Sequence, residues 1–385
     1  MSKNKRAKSK PQKIQPKPKN RKIKDFLINL TYECLECLLK QAQSTAKIYC
    51  AQFHKDSKES AQIEQMTCSV VKDLFKTLED FQDLSLENLK NENRNLTCKD
   101  KAKLQDLMRE FFKQKYTFSF DIESQNHIEI PPTMLAVLVY DRIHKSLNCF
   151  SPYGKIKEAS IQKARLYKQY FLESLHKKIE SQASVAKILE FAIRISVLGN
   201  VLDYGAQMSF DLEEQAQRIL EVPFASFDLE SFLCRLKSAK NLVMIGDNAG
   251  ENEFDEILII ALNLLYPHLE IFYFVRGAEI INDITLSDLK HTDSAIFTLA
   301  KVVDSGVMSP GFIESLASAE AKEIYHNADV ILAKGMGNFE SMENSAKQDE
   351  RIFLLFKIKC DVVKNYLQKN LGDFVFFNPN LYAIP

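Results

Sequence analysis

Six short apolar runs lie between Asn241 and Phe377: NLVMIG, LEIFYFV, AIFTLA (with VVD soon after), ADVILA, IFLLFKI and DFVFF. Most stop at a Gly, Asp or Lys, and several are followed by helical stretches. That alternation is the pattern of a mostly parallel sheet covered by helices on both faces. In such sheets ligands collect at the carboxyl ends of the strands. An α/β domain is therefore expected over residues 236–385.

Glycine marks where the pattern changes. All eleven glycines lie at or after Gly154, and eight lie at or after Gly246. Before them, residues 25–235 read as mainly helical, with apolar residues every three to four positions in DFLINLTYECLECLLKQAQSTAKIYCAQF, SVVKDLFKTLEDF and around LQDLMREFF. Further helices are expected after Pro131 and Pro132, at 158–180 and at 183–198.

Residues 1–24 differ again. They hold eleven Lys or Arg and no Asp or Glu, so the remaining chain has 40 basic against 51 acidic residues and is acidic by eleven charges. Three prolines and almost no apolar content predict a disordered basic tail that could contact RNA or an anionic surface weakly. No apolar stretch follows the charges, as an export signal would require, and no apolar run is long enough to span a membrane. Eight scattered cysteines then imply reduced thiols and a cytoplasmic protein.

The stretch MIGDNAGENEFDEILIIAL joins the first apolar run to a helix. Asp247 and Asn248 end the strand, Gly250 loosens the turn, and Glu251 and Asp255 stand four apart on one helical face. One reading is a capped turn, with Asp247 or Asn248 capping the helix and the glutamates meeting its dipole. The other needs LEIFYFV to lie beside it, so that Asp283 converges on Asp247 and Asn248. Two carboxylates and an amide oxygen suit Mg or Mn and poorly suit Zn. Lys334 ends ADVILA beside two glycines with Asn338 following, and could hold a phosphoryl oxygen. Lys357 and Lys359 stand two apart, on one face if both lie on a strand, and one of them is expected to point into the site. GDNAG has neither dinucleotide nor P-loop spacing, so no nucleotide cofactor is expected.

GDNAGENEFDEILI, INDITLSD, VVDSG and ADVILAKGMGNFE resemble, in that order, the motifs of the metal-dependent damage-control phosphatases, the family filed as domain of unknown function eighty-nine. CLEC at Cys34–Cys37, SPYGKIKEAS and ISVLGNVLDYG are also similar to the smaller prokaryotic-type members. The resemblance spans about 30–377. It implies a three-layer α/β/α, Rossmann-like domain with a helical N-terminal part. It implies one divalent ion (Mn, Mg, Ni or Co) on Asp247, Asn248 and Asp283, and substrate or phosphate contacts from Lys334, Asn338, Lys359, Asn200 and Asp203. Relatives often have Asp where Ser151 stands.

The expected function is hydrolysis of small phosphomonoesters, such as sugar phosphates or damaged phosphometabolites, with Asp247, Asp255 or Glu251 as base or nucleophile. The competing reading is a non-enzymatic protein that binds nucleic acid through its basic tail.

Overall fold

Strands with apolar residues at every position must be covered on both faces. The computed structural model, which describes residues 30–76, 78, 96–115, 131–149, 151–197 and 220–382, meets that demand. Its strands are β1 (Phe224–Phe227), β2 (Asn241–Ile245), β3 (Glu270–Val275), β4 (Lys301–Asp304), β5 (Val330–Lys334), β6 (Ile352–Lys357) and β7 (Phe374–Phe377). They form one sheet in the order β1-β7-β6-β5-β2-β3-β4. The five strands from β6 to β4 are parallel. β7 runs antiparallel to β6, and β1 runs parallel to β7.

Successive residues of a strand point to opposite faces, and the two cores follow that alternation. Val243 and Ile245 of β2 join Leu35, Phe75, Leu104 and Leu135 from helices α1 (Tyr32–Gln52), α2 (Ser57–Phe75), α3 (Cys98–Lys115) and α4 (Pro132–Leu147). Leu242 and Met244 join Ile161 and Leu189 from α5 (Gly154–Glu180) and α6 (Val185–Ser196), together with Phe254 and Leu262 of the helix Glu251–Leu265. Apolar contacts thus run from the N-terminal helices into both faces of the sheet. This is a three-layer α/β/α, Rossmann-like arrangement.

Two elements differ from expectation. AIFTLA is not a strand: Ile296–Leu299 is a short helix, and the strand is the KVVD that follows it. Its first residue, Ile296, is fully buried in the core that holds the Glu251–Leu265 helix, a packing that four apolar residues alone do not reveal. β1 comes from the stretch expected to be helical. Phe224 and Phe227 lie 5.7 and 5.5 Å, ring to ring, from Phe374 and Phe376, and such cross-strand aromatic pairs stabilise an edge strand over a helix. No helix of the described residues is long and apolar enough to cross a membrane.

The strand order places the site. After β2 the chain moves outward to β3 and β4, then returns to the other side of β2 to make β5 and β6. The order therefore reverses between β2 and β5, and a crevice opens there at the strands' carboxyl ends. Asp247 follows β2 and Lys334 closes β5, so both stand at this switch point.

Candidate functional site

The turns after β2 and β3 are stitched together by backbone bonds. Asn248 and Asp283 form an antiparallel bridge. Ala249 N–H donates to Asn282 O at 2.8 Å, and Ile284 N–H donates to Asp247 O at 2.8 Å. Asp247, Asn248 and Asp283 are thereby held at one place by two segments more than thirty residues apart in the chain. The capped-turn reading fails on a geometric ground. Gly250, at φ +96°, stands at the cap position before Glu251, and it has no side chain with which to cap the helix. Asn248 instead donates its amide to Asp247 Oδ2 at 2.8 Å and to Glu251 Oε1 at 2.7 Å.

Beneath this tip lies a buried ion network. Lys334 is wholly buried; its ammonium donates to Glu251 Oε2 at 3.0 Å and to Asp255 Oδ1. Ser196 and Tyr273 each donate to Asp255 at 2.7 Å, so both Asp255 oxygens are engaged. Burial pushes the Asp255 carboxyl above its usual range, and the Lys334 charge opposes that rise. For Lys334 the order reverses: burial lowers its pKa, but the Asp255 and Glu251 carboxylates outweigh burial and raise it. Lys334 was expected to clamp phosphate and Asp255 to be a candidate base. Instead each is turned into the protein, because a buried charge is tolerable only when paired.

Asp247 and Asp283 are shifted in the same direction as Asp255. Burial, with Glu251 and Asp283 beside it, pushes the Asp247 carboxyl well above the carboxylate range, against the pull of Lys359 and Arg276. Asp283 is pushed up to about 6 by burial, against the Arg276 and Lys157 charges. Arg276, which sequence reasoning passed over, organises this side. From a position 2% exposed it donates to Asp283 Oδ2 at 2.7 Å, to Asn338 Oδ1 at 3.3 Å and to the Pro310 carbonyl at 2.6 Å. A basic residue directly after the apolar run EIFYFV was the available signal.

Asn338 was expected to contact substrate. It is fully buried, with Oδ1 accepting from Phe312 N–H at 2.6 Å and its amide donating to the Lys334 carbonyl, so it ties β5 to the loop before it. Lys359 is exposed, and its charge is felt at Asp247. It lies beyond the end of β6, so the expectation of a shared strand face with Lys357 does not apply; Lys357 lies over the Phe374 ring at 5.6 Å. Asn200, Asp203 and the basic segment 1–24 lie outside the described residues.

Gly335 adds a steric condition. At φ +89°, a Cβ there would fall 2.2 Å from the Asp247 carboxyl carbon. Gly335→Ala should therefore cost about 1–3 kcal/mol in backbone strain alone and dislodge Asp247 as well. Urea denaturation checks this; a variant as stable as the parent would refute the contact.

The donor chemistry fits a divalent cation. Asp247 Oδ1, Asn248 Oδ1 and Asp283 Oδ1 make no hydrogen bond among the described residues; Arg276 lies 3.9 Å from Asp247 Oδ1. These oxygens form a hard donor set of the kind Mg and Mn prefer. Among the described residues no group of three or more His, Cys, Asp or Glu is placed to hold a metal ion. Asp247 and Asp283 supply two carboxylates beside the Asn248 amide, a set of two acids and one amide rather than three acids.

A family model described as the damage-control phosphatase ARMT1-like domain matches residues 30–375. A damage-control phosphatase of Pyrococcus horikoshii is 32% identical over 245 residues, covering 63% of this chain and 80% of its own length. An uncharacterised protein of Methanocaldococcus jannaschii is 31% identical over 246 residues, covering 63% of this chain and 78% of its own. A damage-control phosphatase of Arabidopsis thaliana is 25% identical over 282 residues, covering 68% of this chain and 73% of its own. Among solved structures, one of a Pyrococcus horikoshii protein of the domain-of-unknown-function-89 family superposes with a TM-score of 0.62 at 24% identity, covering 91% of this chain and 99% of that one. At that identity the superposition speaks for the fold.

Proposed function

The chain belongs to the damage-control phosphatase ARMT1-like family, and from that premise we propose that it hydrolyses small phosphomonoesters, sugar phosphates or damaged phosphometabolites, in the cytoplasm. One divalent cation (Mn, Mg, Ni or Co) would be held by Asp247, Asn248 and Asp283. The observation that supports this most is the Asn248–Asp283 bridge, which gathers three uncommitted oxygens at the switch point of the sheet. For the cytoplasmic setting the support is the free state of all eight cysteines.

When bound, the cation neutralises phosphoryl oxygen charge and lowers the pKa of water. The protein's own groups divide into two tiers. Asp247 lies at the reacting centre as the carboxylate that meets water or phosphorus. Asn248 orients it by donating its side-chain amide N–H to Oδ2, and Arg276 holds Asp283 in register. Lys359, exposed at the rim, attracts the phosphate and steadies its charge. Glu251, Asp255 and Lys334 form the lower tier, which keeps the tip rigid so that the reaction requires little reorganisation.

Metal-stripped protein should be inactive on an aryl phosphate and should regain turnover when Mn or Mg is restored. Absence of metal-dependent turnover on that ester and on a panel of sugar phosphates would remove the proposal.

A further inference from the structure

Lys157 sits in the first turn of α5, within the SPYGKIKEAS segment, and its side chain is 1% exposed. A lysine buried to that degree is costly unless its charge is fully met. Its ammonium meets Glu279 Oε2 at 2.8 Å and Asp288 Oδ2 at 2.5 Å. Glu279 belongs to the loop that follows β3, and Asp288 to the first turn of the helix Leu286–His291 that ends it. Glu279 precedes Asp283 by four residues and Asp288 follows it by five, so a single cation grips the loop on both sides of the carboxylate.

Each grip is itself supported. Burial pushes the Glu279 carboxyl above its usual range, and the Lys157 charge is the main influence holding it down, with Ser151, from the start of the same segment, adding to that. Asp288 Oδ2 also accepts from Thr285 N–H at 2.9 Å and from Thr285 Oγ1 at 2.6 Å, which closes the capping box of the helix Leu286–His291. Between the two grips, Arg276 holds Asp283 itself at 2.7 Å. Arg276 directly follows β3, whereas Lys157 belongs to α5, a helix that packs on the face of the sheet. The loop is thus referenced to two independent parts of the fold.

We propose that Lys157 is a positioning residue for the divalent cation: by pinning Glu279 and Asp288 it sets where Asp283 stands relative to Asp247 and Asn248. This rests on the proposed metal site. It gives SPYGKIKEAS a role in ordering the site rather than in touching substrate. Partners that orient a ligating carboxylate typically change metal affinity about 10- to 100-fold when removed.

The test measures Mn(II) binding through the electron paramagnetic resonance signal of free Mn(II), with no turnover involved. Lys157→Met should weaken Mn(II) binding by about 10-fold or more, and Lys157→Arg should recover part of it. Glu279→Gln, at a half-buried position that better tolerates change, should weaken binding in the same direction by a smaller factor, and it decides the matter if Lys157→Met does not fold. Arg351→Met serves as the comparison. It breaks a pairing with Asp349 remote from the site, and should lower the melting temperature while leaving Mn(II) affinity unchanged. Wild-type affinity in folded Lys157→Met, or in Glu279→Gln should Lys157→Met not fold, overturns the role of Lys157 while leaving the metal site standing. A parent protein that binds no Mn(II) overturns both.

Discussion

Asp247→Asn should lower metal-dependent phosphatase activity by at least about 10²–10³-fold, the usual cost of losing one charge-stabilising group at a reacting centre. The same change should make the metal-free protein more stable at neutral pH. The sign follows from linkage. Burial and the neighbouring charges of Glu251 and Asp283 hold the Asp247 carboxyl well above its unfolded value near 3.9. The folded state therefore binds this proton more tightly than the unfolded state does. Stability from this group is present at low pH and is lost as pH rises from the unfolded value through the folded one. Asparagine has the shape of the neutral acid without its titration, and its carbonyl can still accept from Asn248. Thermal melts of the two metal-free proteins across pH should diverge upward from about pH 4, with the variant melting higher at neutral pH. A variant that melts lower than the parent at neutral pH, with activity retained, would contradict both the electrostatics and the assignment.

Lys334→Met should have the largest effect on stability. Glu251 and Asp255 are almost wholly enclosed, and the Lys334 ammonium bonds both. Removing it leaves two carboxylates buried together, a change that typically costs about 3–5 kcal/mol. Methionine fills much of the vacated volume, so the loss reports charge rather than a cavity. Equilibrium denaturation measures the drop. The double variant Lys334→Met/Asp255→Asn should regain a substantial part, because one of the stranded charges is gone while the amide can still bond Ser196 and Tyr273. A loss below about 1 kcal/mol would place this network among exposed pairs of little worth, contrary to its burial.

Much of this site was legible because its signals are local. A strand that must be covered on both faces announces itself by unbroken apolar residues, and a polar pair at its end is visible without coordinates. Asp247, Asn248 and Asp283 stand out on those grounds, with the family resemblance pointing to the same three residues, and the structure brings the turns that carry them together. Arg276 and Lys157 were not singled out, since a basic residue after an apolar run or at the start of a helix is ordinarily solvated. Asn338 and Lys334 were noticed, but the direction of their side chains could not be read from position alone. Lys334 reaches Glu251 across 83 residues of chain, and Lys157 reaches Glu279 across 122. No periodicity encodes a partner at such separations.

Sequence by itself determined the fold class, the approximate places of most strands, and the chemistry offered at their ends. Those properties follow from burial and spacing within a few residues. The tertiary structure decided which ends meet. The jump of the chain from β4 back across β2 to β5 sets Gly335 against Asp247, and the Asn248–Asp283 bridge sets two turns face to face. It also decided which charges face outward. Away from water, every buried charge must find a partner, and only the packed chain fixes which carboxylates are consumed by lysine and arginine and which keep an oxygen free.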